Sequence, residues 1–164
     1  MNYHNITKDD MLNGDGLRVV LWTSGCTHRC DGCQNPQTWE VDSGIPFDEA
    51  AKKELFDALQ PDYVSGITFS GGDPLHPFNR ETVLALAKEI KQTMPNKTVW
   101  LYTGFLWEEV KDNIELDNID VLVDGEFQKE LNDNTLKWVG SSNQRIIDVQ
   151  KTLKEGKIVH YCMP

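Results

Sequence analysis

Short β-rich runs alternate with amphipathic helical patterns along this chain, and that order restricts it to βα units packed on a largely parallel sheet. Arg18 to Thr23 reads as a first strand, Gly66 to Phe69 as a second, Thr98 to Tyr102 as a third and Ile119 to Val123 as a fourth. Arg145 to Val149 reads as a fifth, and Lys157 to Tyr161 is a further candidate. Between the strands, Pro46 to Leu59 has Pro near its start and apolar residues at Phe47, Ala51, Leu55 and Leu59, which is helical spacing. Glu81 to Met94 is a second helix with Val83, Leu84, Ala87 and Ile90 on one side, stopped by Pro95-Asn96, and Leu106 to Lys111 makes a short third. The length of 164 residues predicts one domain spanning 1–164.

The unusual residues fall at the ends of these strands. Cys26, Cys30 and Cys33 follow the first, Ser70-Gly71-Gly72-Asp73 the second, Thr103-Gly104 the third and Asp124-Gly125 the fourth. In α/β sheets, ligands bind in the crevice outside the carboxyl ends of the strands, so loops spread over a hundred residues would converge on one site. Taken singly, each glycine pair also reads as an ordinary tight turn.

The spacing CxxxCxxC from Cys26 to Cys33 puts three thiolates in one loop. Soft thiolates select zinc, copper(I) or an iron–sulfur cluster. A [4Fe–4S] cluster normally takes four cysteines, so three leave one iron open to another ligand. A structural zinc site would need a fourth ligand, from His28, a distant histidine such as His76, or Cys162, and none of these repeats a CxxC pair. A disulfide role fits less well, because the opening stretch Met1 to Asp10 is polar and carries no apolar signal segment.

Composition removes other classes. A net charge of −10 argues against nucleic-acid phosphates as a partner, and no basic stripe is present. No run approaches the roughly 18 apolar residues of a membrane span, which predicts a soluble, cytoplasmic protein. Three bunched cysteines suit a reducing compartment where thiols serve metals. There is no GxGxxG opening a helix after a strand, so an electron needed by the site would come from outside. Asp112 and Asp117 read as part of a solvated acidic face.

Together, the Cys loop, Gly71-Gly72-Asp73-Pro74-Leu75, Tyr102-Thr103-Gly104, Val121-Leu122-Val123-Asp124-Gly125 and Gly140-Ser141-Ser142-Asn143-Gln144-Arg145 resemble the radical S-adenosylmethionine (SAM) glycyl-radical activases that serve anaerobic ribonucleotide reductase. The likeness runs from Asn2 through Asp148. It implies a small, incomplete (β/α) barrel of the radical SAM type. About five or six βα units fit this length, too few for the roughly 250-residue closed barrel, and an incomplete barrel has a lateral opening for a protein loop. It further implies a [4Fe–4S] cluster on Cys26, Cys30 and Cys33, with SAM chelating the open iron. Gly71 and Gly72 would let the main chain approach SAM closely. Asp73 would pair with the ammonium of its methionine part by a charge-assisted hydrogen bond.

Many radical SAM enzymes carry an aromatic residue just before the third cysteine, where this chain has Gly32. The activase subgroup accepts glycine there, and by resemblance the backbone of Gly32, Cys33 and Gln34 would contact the adenine, with Trp39 and Tyr102 as possible aromatic substitutes. Thr103, Asp124, Ser141 and Asn143 would reach the ribose or methionine groups. The implied partners are the anaerobic ribonucleotide reductase large subunit, whose glycine becomes a radical, and a flavodoxin or ferredoxin-like reductant. No acid–base pair of side chains is expected, because hydrogen-atom abstraction needs none. Cys162 has no partner at motif spacing and reads as an idle thiol. Two rivals stay open: a radical SAM enzyme acting on another glycyl-radical protein, of formate-lyase type, or on a small molecule; and a zinc-stabilised, non-catalytic interaction module.

Overall fold

The computed structural model describes residues 1–33 and 36–162. Its centre is four parallel strands: β2 (Arg18–Thr23), β4 (Gly66–Gly71), β5 (Thr98–Tyr102) and β6 (Val121–Asp124). Their connections run through α1 (Glu49–Leu59), α2 (Arg80–Thr93) and α3 (Trp107–Val110). Antiparallel strands flank this centre: β1 (Asn2–Asp10) and β3 (Ile45–Pro46) beside β2, and β7 (Arg145–Asp148) beside β6. The resulting seven-stranded mixed sheet has the order β3-β1-β2-β4-β5-β6-β7. Three parallel pairings therefore replace the longer series of βα units expected from the sequence.

Alternation along the central strands separates two unlike faces. Val19 and Leu21, Ile67 and Phe69, and Val99 and Leu101 point to one side, where Leu55 and Leu59 of α1 and Val83, Ala87 and Ile90 of α2 close a fully apolar core. The opposite face carries Arg18, Thr68, Ser70, Trp100 and Tyr102 instead. There Trp100 packs edge-on to Trp138 at 5.0 Å and to Tyr161 at 5.2 Å. Arg18 is 1 % exposed on this second face. Its guanidinium donates to Thr68 Oγ1 (2.8 Å), Ile67 O (2.7 Å) and Thr98 O (2.9 Å), among others, and lies 5.5 Å from the Trp100 ring centre. Burial pulls its pKa down to about 10.

Several boundaries depart from the sequence reading for local reasons. The first helix starts at Glu49 because Asp48 caps it, its Oδ1 accepting from Ala51 N at 2.9 Å, while Ile45–Pro46 pairs with Asn2 and Tyr3 as β3. The Lys157 to Tyr161 candidate contributes one isolated bridge, Ile147 to His160, after helix α4 (Val149–Glu155), which ends at Gly156 in the left-handed conformation. The polar opening stretch is a strand.

Candidate metal and cofactor site

The C-terminal ends of β2, β4, β5 and β6 meet at one cavity of about 120 Å³, and its lining includes Cys26, Cys30, Cys33, Asp73, Thr103 and Gln144. It adjoins a larger cavity of about 530 Å³ on the same face, the two sharing Cys33, Ser70, Tyr102, Phe127 and Gln144. The larger volume lies in the usual range for small-molecule sites. Both lie beside Ser70 and Tyr102, away from the apolar core that α1 and α2 close, so the polar pattern of these two residues marks a working face.

Backbone hydrogen bonds hold the cysteine loop against its neighbours. Gly25 N donates to Thr38 O (2.6 Å) and Cys26 N to Trp39 O (2.9 Å), while Gly72 N donates to Thr23 O (2.8 Å) and Asp73 N to Gly25 O (2.7 Å). A turn within the loop brings Cys33 N to Cys30 O at 3.1 Å. Such close contact requires glycine at two positions. A Cβ on Gly71, whose φ is +101°, would lie 2.5 Å from Thr23 N, and one on Gly72 would lie 2.6 Å from Gly25 O. The requirement thus comes from the end of β4 packing on β2 and from its loop packing on the cysteine loop, a different reason from the ligand approach expected of them, although both residues also line the cavity. Asn79, buried and not singled out by sequence, ties the two loops together by donating to Ser24 O (2.7 Å) and Asp73 O (3.1 Å).

Asp73 is 1 % exposed and accepts from four groups. Leu75 N (2.9 Å) and Thr103 Oγ1 (2.8 Å) donate to its Oδ1, and Gly104 N (3.0 Å) and His28 Nε2 (2.7 Å) to its Oδ2. His28 uses its other ring nitrogen on Glu126 Oε1 at 2.8 Å, and the Asp73 hydrogen bond above all raises its pKa to about 9. Ligand atoms of Cys26, His28 and Asp73 lie within 4.8 Å of one another, a grouping able to grip a cation. Burial pushes the Cys26 thiol up to about 11, against which the backbone N–H groups of His28 and Arg29 pull. Burial raises the Cys30 thiol as well. A bound cation reverses that balance and keeps coordinating thiols deprotonated.

Other expected site residues are placed differently. Asp124 is fully buried, accepts from Arg145 Nε (3.0 Å) and Trp107 N (2.8 Å), and is absent from the cavity lining. It anchors the start of α3 and holds Arg145, whose pKa it raises. Ser141 is buried, its Oγ accepting from Gln128 N at 3.2 Å. Asn143 donates to Glu126 O at 2.8 Å, its buried Oδ1 has no partner among the described residues, and it lines neither cavity. Gly32 takes a left-handed φ of +74° in the turn before Cys33. Gln34 lies outside the described residues. Tyr102 donates to Trp138 O at 2.6 Å, and burial raises its pKa. Trp39 borders the cavity with a buried Nε1 that likewise has no partner among the described residues. Cys162 is exposed and lines neither of these cavities.

The lining contains groups that the sequence left unassigned. His28 was weighed only as a zinc ligand, and its place between Cys26 and Cys30 was the available signal. Gln144 accepts from Gly140 N (2.9 Å) and Ser141 N (3.1 Å) and donates to Gly125 O (3.1 Å), which shapes the loop above β6. Three thiols in one loop, with a Trp39 Nε1 at the cavity edge that has no partner among the described residues, fit an iron–sulfur cluster and a polar organic ligand beside it.

A site of three cysteines at the carboxyl ends of parallel strands is that of an iron–sulfur domain, and the family model for a 4Fe-4S single cluster domain matches residues 12–147. Whole-chain relatives narrow this. An anaerobic ribonucleoside-triphosphate reductase-activating protein from Enterobacteria phage T4 is 43% identical over 146 residues, covering 89% of this chain and 93% of its own. Proteins of the same name from Haemophilus influenzae (41% over 150 residues, 89% and 97%) and Escherichia coli K12 (43% over 148 residues, 88% and 96%) agree. The chain belongs to the family of anaerobic ribonucleoside-triphosphate reductase-activating proteins.

Proposed function

We propose that this chain, working over 1–164 as one activase domain with the character of an incomplete (β/α) barrel, reductively cleaves SAM and generates a glycyl radical on anaerobic ribonucleotide reductase. The observation that carries this reading is the gathering of Cys26, Cys30, Cys33 and the Gly71-Gly72-Asp73 loop around one cavity, in a chain whose relatives bear the activating name. When bound on these cysteines, a [4Fe–4S] cluster with one open iron would supply the one-electron reduction that SAM cleavage requires, the net outcome being loss of a Cα hydrogen from a glycine of the partner.

The chain's own residues bind and orient. Cys26, Cys30 and Cys33 would each hold one iron. Asp73 would receive the ammonium of SAM, Thr103 and the backbone of Gly71 and Gly72 would flank it, and the backbone of Gly32 and Cys33 with Trp39 would meet the adenine. Trp39 Nε1, which has no partner among the described residues, would offer SAM a donor. Ser141 supports the 140–144 loop from behind. The open 530 Å³ cavity beside Cys33 gives a glycine-bearing loop room to approach. A flavodoxin or ferredoxin-like protein delivers the electron, and a cytoplasmic setting keeps the thiols reduced; no helix among the described residues is long and apolar enough to cross a membrane.

The grouping of Cys26, His28 and Asp73 supports a second reading, in which one zinc ion sits there and the protein is a non-catalytic module. Mixing the anaerobically purified, reduced protein with SAM and the reductase separates the two. The activase reading expects a glycyl doublet in the electron paramagnetic resonance spectrum. A colourless, zinc-bearing protein that gives no doublet would reject it.

A further inference from the structure

Asp73 has no free acceptor position. A carboxylate offers about four lone-pair sites, and Leu75 N, Gly104 N, the Thr103 hydroxyl and His28 Nε2 take them. Two of these donors are backbone amides fixed by the turns around them. The Thr103 hydroxyl is anchored as well, because its oxygen accepts from Phe105 N at 3.2 Å. His28 is different: its donor sits on a side chain whose position the main chain does not fix. Its seat is nevertheless shaped for it. The Phe105 ring meets it edge-on at 4.6 Å, and Gly104 leaves the space, since a Cβ there would lie 2.5 Å from the imidazole. The side chain is 9% exposed and keeps a second hold on Glu126, which is half exposed at 52%.

We propose that His28 is a positioning residue that occupies the ammonium-receiving face of Asp73 in the SAM-free site, and that SAM binding exchanges the His28–Asp73 hydrogen bond for an ammonium–Asp73 one while His28 stays on Glu126. This rests on the activase reading above. The exchange keeps the buried carboxylate fully hydrogen-bonded in both states, which avoids the cost of an unpaired buried anion. It also lowers apparent SAM affinity, because only molecules with His28 displaced are competent to bind. His28 thereby sets how tightly SAM is held against ligands that lack its amino-acid part.

The test compares wild type, His28→Ala and Asp73→Asn, each loaded with iron and sulfide under nitrogen, by equilibrium dialysis against SAM and against 5′-methylthioadenosine. His28→Ala should bind SAM roughly tenfold tighter, the equivalent of one charge-assisted hydrogen bond no longer broken. It should bind 5′-methylthioadenosine as wild type does. Asp73→Asn should bind SAM more weakly. Unchanged or weaker SAM binding by a cluster-loaded His28→Ala, or equal tightening toward both ligands, overturns the proposal. If His28→Ala fails to hold the cluster, a crystal structure of wild type with SAM decides: the proposal requires His28 Nε2 beyond hydrogen-bonding distance of Asp73, and an intact His28–Asp73 contact rejects it. Cluster-loaded wild type that binds no SAM at all rejects the activase reading together with this one, whereas normal wild-type binding with an unaltered variant rejects only this one.

Discussion

Cys26, Cys30 and Cys33 border one cavity, while Cys162 is exposed elsewhere. Replacing any of the first three by Ala should abolish the brown iron–sulfur absorbance after anaerobic reconstitution, and Cys162→Ala should leave it unchanged. Equal loss on removing Cys162 would indicate a four-thiolate site. The gathering of Cys26, Cys30 and Cys33 was legible because the spacing alone puts three thiols in one loop. Asp124 was not. Its place after a strand matched the expected pattern, but Arg145, twenty-one positions away in sequence, claims its carboxylate, and β6–β7 pairing brings the two together. Arg18 was equally unreadable, since a strand's first residue gives no sign of burial. Arg18→Met should cost about 3 kcal/mol in urea unfolding of the metal-free protein, because the carbonyls of Ile67 and Thr98 lose their donors. A cost below about 1 kcal/mol would mean that water replaces the guanidinium.

Elements differ in how plainly their residues announce them. Thr98–Tyr102 was read to its boundaries, because β-branched and aromatic residues run between turn signals. β1 escaped notice. Only Tyr3 and Ile6 of its nine residues are buried, and irregular pairing after Tyr3 and after Thr7 breaks the alternation that would reveal a strand. α4 is short and begins where β7 ends, so one run of residues serves two elements. The cap of α1 provides a test at this scale: Asp48→Ala should lower stability by about 1 kcal/mol, seen as an earlier denaturation midpoint with unchanged slope. The β4–β5 pairing gives a harsher one. A Cβ at Gly66 would lie 2.0 Å from Thr98 O, so Gly66→Ala should leave little folded protein on size-exclusion chromatography. A folded, monodisperse variant would show that β4 can shift away from β5.

For the molecule as a whole, the two faces of the sheet differ: one is a purely apolar core, and the other combines an aromatic cluster around Trp100 with the site. α1 and α2 seal the first with apolar side chains, and the second keeps serine, tyrosine and the strand-end loops beside two adjoining cavities. The parallel centre of the sheet was legible from alternating patterns, but the mixed character of the whole was not, because periodicity does not encode which strands pair or in which direction. The account as a whole requires that the cavity hold a redox cluster able to cleave SAM. Its most direct test is to reconstitute the protein anaerobically with iron and sulfide, reduce it with dithionite in the presence of SAM, and quantify 5′-deoxyadenosine by chromatography. The account predicts its release, dependent on all three loop cysteines; iron-loaded, reduced protein that forms none would contradict it.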